Sequence, residues 1–270
     1  MYCSKTSSHG KSRVFFSELG NPRGNENTFL LTFGILWFRW HNYIARSIKR
    51  NRPEWSSEKI FNEARKWVIA TQQHVVLDLW LPSWIKQPIA PYTGYNATVN
   101  PQIDQFFQAA AFRFGHTLVV PAVYLRDYGR NGCNTTIDEW GKPSVRTCNS
   151  FWRPQDAIKT NYSSTEFVDI DRILMGMAFQ MCEREDHTIV EDLRGNVFGP
   201  LEFPRRDLMA VNIQRARDHG LPDFNTARKA YGLPVYTSFD NFTQITNVVS
   251  ALTLPQSNTA RKRHNNSCKI

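Results

Sequence analysis

His116 lies in the string AFRFGHTL, and its chemistry depends on its company. Gly115 lets a flat group approach the backbone, and Arg113, three residues back, falls on the same helical face. A ligand and a cation then point together. A histidine in an apolar setting is more often a satisfied core group than a ligand. The same reading makes His41, His74, His187 and His219 structural; the EREDH string around His187 lacks the H-x-x-x-H spacing of a metal helix.

A second cluster occupies NIQRARDHG, where Asn212 and Arg215 share a face by the i, i+3 rule, so one amide and one cation can face a common pocket. Arg23 and Glu26 repeat that spacing in NPRGNEN. By spacing alone, such a pair reads as a surface ion pair.

These residues need elements to carry them. Apolar positions at Phe33, Trp37, Trp40, Ile44 and Ile48 predict a helix over 27–50 buried on that stripe. Ser56 or Ser57 caps a second helix, whose stripe runs through Ile60, Ala64, Trp67, Thr71 and Val75 to Leu79 before Pro82 stops it. Pro101 opens a helix that reaches His116. The stretch 126–154 reads as an extended surface loop. Further helices are expected at 164–184, 207–218, 224–231, with Gly232 as its stop, and 241–252. Strand signals are few and short, so the expected class is mainly α in one compact unit.

The composition suits a packed globular body: 41% of residues are hydrophobic and 13% aromatic. A net charge of +9 raises nucleic acid as a partner. However, Arg46, Lys49, Arg50, Arg52, Lys159 and the tail Arg261, Lys262 and Arg263 lack interleaved aromatics or a reader motif, so no nucleic acid is expected. Cys3, Cys133, Cys148, Cys182 and Cys268 contain no C-x-x-C pair. Cys133 and Cys148 bracket a polar loop; they either close it as a disulfide in an oxidising compartment or remain thiols. Sequons at Asn96, Asn134, Asn161, Asn241 and Asn265 lean towards secretion. The first twenty residues lack the apolar core of a signal peptide, which gives the expectation of a chain truncated at its start. The apolar run 28–38 is too short for a transmembrane helix.

The strings AFRFGHTL, NIQRARDHGLPDFNTARKAYGL and the segment from Arg23 to His41 with FRWHN resemble the animal haem peroxidase family. The strings NPRGNENTFLLTFGILWFRWHN, EREDHTIVEDLRG and GPLEFPRRDLMA are most similar to the peroxidase-like domain of dual oxidases. The resemblance covers residues 17–254 as a partial domain, leaving 1–16 and a basic tail, 255–270, unassigned. It implies a mainly α, animal haem-peroxidase-like helical fold, incomplete in this chain.

The resemblance further implies haem b as cofactor, with His116 as the proximal ligand of its iron and Asn212 accepting the Nδ1 proton. Arg113 and Arg215 match residues that neutralise the haem propionates. Arg23 matches the distal arginine that polarises peroxide, and Glu26 a carboxylate that esterifies a haem methyl. Asn27 stands where some relatives have a methionine that bonds to haem, which implies no sulfonium link. The distal His and the calcium loop lie far upstream in the family and have no counterpart here. The implied activity is oxidation of a small donor, a phenol or halide, by hydrogen peroxide. The implied setting is the extracellular or luminal side of a hydrogen-peroxide-generating dual oxidase anchored in the plasma membrane. The alternative is a catalytically inactive interaction or folding module of a larger oxidase.

Overall fold

Asn27 starts the first helix by placing its Oδ1 3.0 Å from both Phe29 N and Leu30 N, two amides with no partner inside the helix. This computed structural model describes residues 21–129, 132–135, 144–152, 154–155, 158–162, 165–168, 170–195, 197, 206–238 and 240–241. The helix α1 runs Thr28–Asn51, close to expectation. Its buried face is not the expected stripe, since Phe33 is 44% exposed whereas Leu31 is fully buried. The reason is that α1 serves two neighbours. Leu31, with Phe29, Ile35 and Leu36 beside it, enters the main core, while further along Trp40 donates from Nε1 to Thr71 Oγ1 of the second helix at 3.3 Å.

That second helix, α2 (Ser57–His74), is capped by Ser56 as expected. It does not stop at Pro82. A turn of π-helix, Val75–Trp80, leads into α3 (Leu81–Ile85), where Pro82 falls in the first turn. A proline has no amide to give and the first turn asks for none, so it is tolerated there. Lys86, in the left-handed region at φ 54°, closes the element.

The helix expected from Pro101 is shorter and broken. Asn100 Oδ1 accepts from Gln102 N in a local turn, and Asp104 caps α4 (Gln105–Ala109) through Phe107 N at 3.0 Å. At Ala110 the backbone leaves the helical region (φ −129°, ψ −66°), and a 3-10 helix, Ala111–Leu118, follows.

The stretch 126–154 holds more than a loop. The short strands β1 (Ala122–Tyr124), β2 (Arg126–Gly129), β3 (Gly132–Thr135) and β4 (Ser144–Arg146) lead into α5 (Thr147–Trp152). β2 pairs with β3, and β1 pairs with β4 with Val123 opposite Val145, both antiparallel. Two more strands, β5 (Lys159–Tyr162) and β6 (Thr165–Val168), form a third antiparallel pair. The segment expected to be one long helix from 164 therefore begins as a strand, and α6 is confined to Asp171–Phe179.

The core joins Leu31 of α1 to Leu125, Val145, Ile158, Ile170 and Ile173. It needs close contact between α6 and β1: a Cβ on Gly176 would lie 1.6 Å from Tyr124 O. Gln180, just after α6, accepts from Tyr124 N at 3.1 Å and donates to Ala122 O at 2.7 Å, completing the open side of β1. Buried Asp192, in α7 (Glu191–Arg194), pairs with Arg146 and accepts from Cys148 N, binding α7 to the start of α5.

Two later helices match their expected bounds. α8 (Leu208–Asp218) is capped by Asp207 and ends at Gly220, whose φ of +61° suits a glycine. α9 (Phe224–Ala230) is capped by Asp223, with Gly232 at φ +68° behind it. Of the helix expected over 241–252, Asn241 alone is described, in helical conformation, and the rest lies outside the described residues. Among the described residues, no helix is long and apolar enough to cross a membrane.

Candidate functional site

His116 and Arg113 sit in the 3-10 helix, where residues three apart eclipse one another more closely than in an α-helix. The shared face expected from their spacing is thus sharpened by the tighter winding. Phe114 stacks on Trp84 with ring centroids 4.8 Å apart, and Phe112 lies 5.2 Å from Phe107 of α4. These rings fix the apolar side of the turn.

Both ends of the 3-10 helix are tied down by distant chain. Ahead of it, Asp104 Oδ1 accepts from Tyr231 Oη at 3.0 Å, just past α9. Next to Asp104, Gln105 Nε2 lies 2.9 Å from His219 Nδ1 and donates to His219 O at the end of α8. Behind it, Leu118 O accepts from Glu183 N, and Thr147 donates from N to Pro121 O at 2.9 Å and from Oγ1 to Val120 O at 2.5 Å. Asp104, Gln105 and Tyr231 stand in the expected helices, and no spacing marks them as part of the site. Asp104 has a local cap signal, but nothing in the chain announces partners more than a hundred residues away.

These ties hold α8 against the 3-10 helix, so that Asn212, itself buried, meets His116 with 2.8 Å between Asn212 Nδ2 and His116 Nδ1. The amide oxygen is engaged by Arg215, whose Nη1 donates to Asn212 Oδ1 at 3.3 Å. Met209 Sδ, a weak acceptor, stands 3.6 Å from the amide nitrogen. The resemblance has Asn212 accepting a proton from Nδ1. Here the opposite face of the amide is presented, because Arg215 holds the oxygen.

Burial, with Arg113 and then Arg215 adding like charge, lowers the pKa of His116. Both effects disfavour the imidazolium, and the neutral ring they favour is the form that can donate a lone pair. Burial and the nearby Arg215 also lower the pKa of Arg113, whose Nε donates to Gln108 O at 2.9 Å. Two guanidiniums thus stand close enough to repel, an arrangement that suits an anionic ligand between or beside them.

The structure brings together His116, Asn212, Arg113 and Arg215. Arg23 and Glu26 lie exposed in the turn before α1; their described bonds stay within it, Glu26 N to Arg23 O at 3.1 Å and Arg23 N to Asn21 Oδ1 at 2.9 Å. Asn27 is occupied as the α1 cap.

Of the sequons, Asn96 is exposed in a turn where its Oδ1 accepts from Thr98 N and Oγ1, and Asn241 is also exposed. The side chains of Asn134, Asn161 and Cys133, and all of Asn265, lie outside the described residues, so the Cys133–Cys148 question does too.

The family model described as animal haem peroxidase matches residues 2–256. The chain is 47% identical over 217 residues to "Dual oxidase" of Drosophila melanogaster, covering 80% of this chain and 13% of that protein. It is 43% identical to "Dual oxidase 1" of Caenorhabditis elegans, over 80% of this chain and 14% of that one. With "Dual oxidase 1" of Homo sapiens it shares 40% identity over 82% of this chain and 14% of the other. Among solved structures, Peroxidase A from Dictyostelium discoideum superposes with a TM-score of 0.71 at 31% identity, over 83% of this chain and 40% of that one. The chain thus spans a small part of the dual oxidases and less than half of the solved peroxidase.

Proposed function

This chain belongs to the animal haem peroxidase family, and on that premise we propose that it forms the proximal wall of a haem site in the peroxidase-like domain of a dual oxidase. The observation that carries the reading is the 2.8 Å approach of Asn212 to His116 Nδ1, which orients the ring and leaves Nε2 on its other side.

The residues present fit a haem. His116 is an imidazole whose charged form is disfavoured by burial and two arginines and whose ring is held by a buried amide, as metal-binding histidines are. Arg113 and Arg215 offer two guanidiniums of the kind that pair with carboxylates, and a haem carries two propionates. A Cβ on Gly115 would meet nothing within 4 Å, so there is room for a flat group beside His116. When bound, haem b supplies the redox chemistry of its iron with hydrogen peroxide.

The chain's own residues have narrower tasks. His116 would hold the iron through Nε2; Asn212 would hold the ring plane through Nδ1; Arg113 and Arg215 would meet the propionates. Arg23 is assigned the polarising of peroxide, as a cation that would meet developing negative charge. Glu26 is assigned an ester to a haem methyl. The donor is a small phenol or halide. The parent protein is a membrane-anchored oxidase that holds this domain on the extracellular or luminal side. There Asn96 and Asn241, both exposed, serve as glycan acceptors, and Cys133 with Cys148 is the candidate disulfide pair.

A haem titration of the purified chain tests the reading. A Soret band that saturates at one equivalent in wild type and is lost in His116→Ala is expected; an unchanged spectrum in that variant removes His116 as ligand. A peroxidase assay with a phenolic donor on the haem-loaded protein then separates turnover from binding alone.

A further inference from the structure

We infer that Tyr92 and Tyr95 are the sites at which this chain is itself oxidised and coupled through its phenols. The inference rests on the proposed function for its oxidant, hydrogen peroxide, and names the two phenols that such chemistry reaches first. Tyr92 is 84% exposed and Tyr95 88%, and neither makes a hydrogen bond or ring contact with a described residue. The other tyrosines with described side chains are engaged. Tyr43 stacks on Trp40 with ring centroids 5.6 Å apart, and Tyr124 lies under the Arg126 guanidinium. Tyr231 gives its hydroxyl to Asp104 and sets its ring against Phe106, while half-buried Tyr236 stacks on Phe224 beneath Arg228. Of these four, Tyr43, Tyr124 and Tyr231 are 45–54% exposed.

The backbone explains the difference. Every residue from 83 to 105 is exposed, and from 88 to 96 the chain forms neither helix nor strand. Pro88 and Pro91 have no amide to give to a helix or ladder and disfavour helix in the residue before each. Gly94 takes φ +120°, a conformation that side chains rarely adopt. With no element to pack its side chains, the segment leaves both rings in water. The sequon at Asn96, next to Tyr95, belongs with a segment that stays in solvent.

In the coupling, two phenols each lose one electron and the hydroxyl proton, and one hydrogen peroxide takes up both electrons and both protons to become two waters. The two phenoxyl radicals join at ring carbons ortho to oxygen, and the protons of those carbons move to oxygen as the rings regain aromaticity. A carbon of one ring must therefore reach a carbon of another, so access to the ring edge selects the site. Tyr231 is the rival, because the Asp104 carboxylate beside its hydroxyl can take the proton. Its ring, however, lies 5.8 Å from that of Phe106, centroid to centroid, and offers less open edge than Tyr92 or Tyr95.

Illumination of the full chain with tris(bipyridyl)ruthenium and persulfate makes phenoxyl radicals without haem, and dityrosine fluorescence with peptide mapping reads where they couple. Wild type is expected to give dityrosine that contains Tyr92 or Tyr95, and a Tyr92→Phe, Tyr95→Phe double variant to lose the signal. Tyr43→Phe and Tyr231→Phe are expected to keep it. No dityrosine in wild type, an undiminished signal in the double variant, or links mapped to other tyrosines overturns the inference. Both rings are exposed and without described contacts, so the phenylalanines leave the fold intact. The haem-loaded chain with hydrogen peroxide alone then separates the two readings. The same map there joins the sites to the chain's own turnover, whereas a map obtained only under illumination upholds the sites and removes turnover from the proposed function.

Discussion

Asn212 and His116 are 96 positions apart, yet the amide nitrogen of one lies 2.8 Å from Nδ1 of the other. No local rule brings them together. The contact depends on α8 and the 3-10 helix being held by a second set of long-range ties, from Tyr231 to Asp104 and from Gln105 to His219.

Asn212→Leu removes the ring anchor while leaving His116 in place. Loss of such an outer partner lowers metal affinity about 10–100-fold. A haem titration is expected to show a weakened Soret transition of that size, whereas equal affinity in the two proteins would mean that the amide does not hold the ring.

Replacing haem by its dimethyl ester removes the charge that Arg113 and Arg215 are assigned to meet. Wild type is expected to bind the ester more weakly than the free acid, and the preference to shrink in an Arg113→Met, Arg215→Met double variant. Undiminished preference in the double variant would assign the carboxylates to other residues.

Gly176→Ala places a methyl where Tyr124 O already stands, 1.6 Å away, and the backbone on that side cannot yield without disturbing β1. Overpacking of this kind costs about 1–3 kcal/mol, and more where backbone must move. An unfolding free energy lowered by at least that amount in a denaturant titration is expected; a wild-type value would refute the close packing of α6 on β1.

Asp104 has its carboxyl held below the usual carboxylate value, first by Phe107 N–H and then by the Tyr231 hydroxyl. A depressed folded pKa means that the unfolded chain binds the proton more readily. The contribution to stability is therefore full above the ordinary Asp value of 3.8 and is lost as pH falls through the lower folded value. Asp104→Asn is expected to flatten this acid limb of the melting temperature against pH. An unchanged slope would place the titration elsewhere.

Much of the fold was legible because its signals are local. Ser56 caps the helix that follows it, and Gly232 takes the positive φ that closes α9, as their types and places lead one to expect. Pro82 misled because a π-turn ahead of it moves it into the first turn of a new helix, where its missing amide costs nothing. The strands within 126–154 were invisible for a different reason. β4 earns its place by pairing with β1 some twenty residues earlier, and such pairing leaves little trace in a three-residue strand.

The site divides in the same way. Sequence by itself determined that His116 and Arg113 share one short element and that Asn212 and Arg215 share another, since residues three apart on a helix must be neighbours. The meeting of those two pairs, and the choice of which amide face His116 sees, are decided only by tertiary structure. The first depends on ties that span more than a hundred residues, and the second on a hydrogen bond from Arg215 that competes with His116 for one side chain.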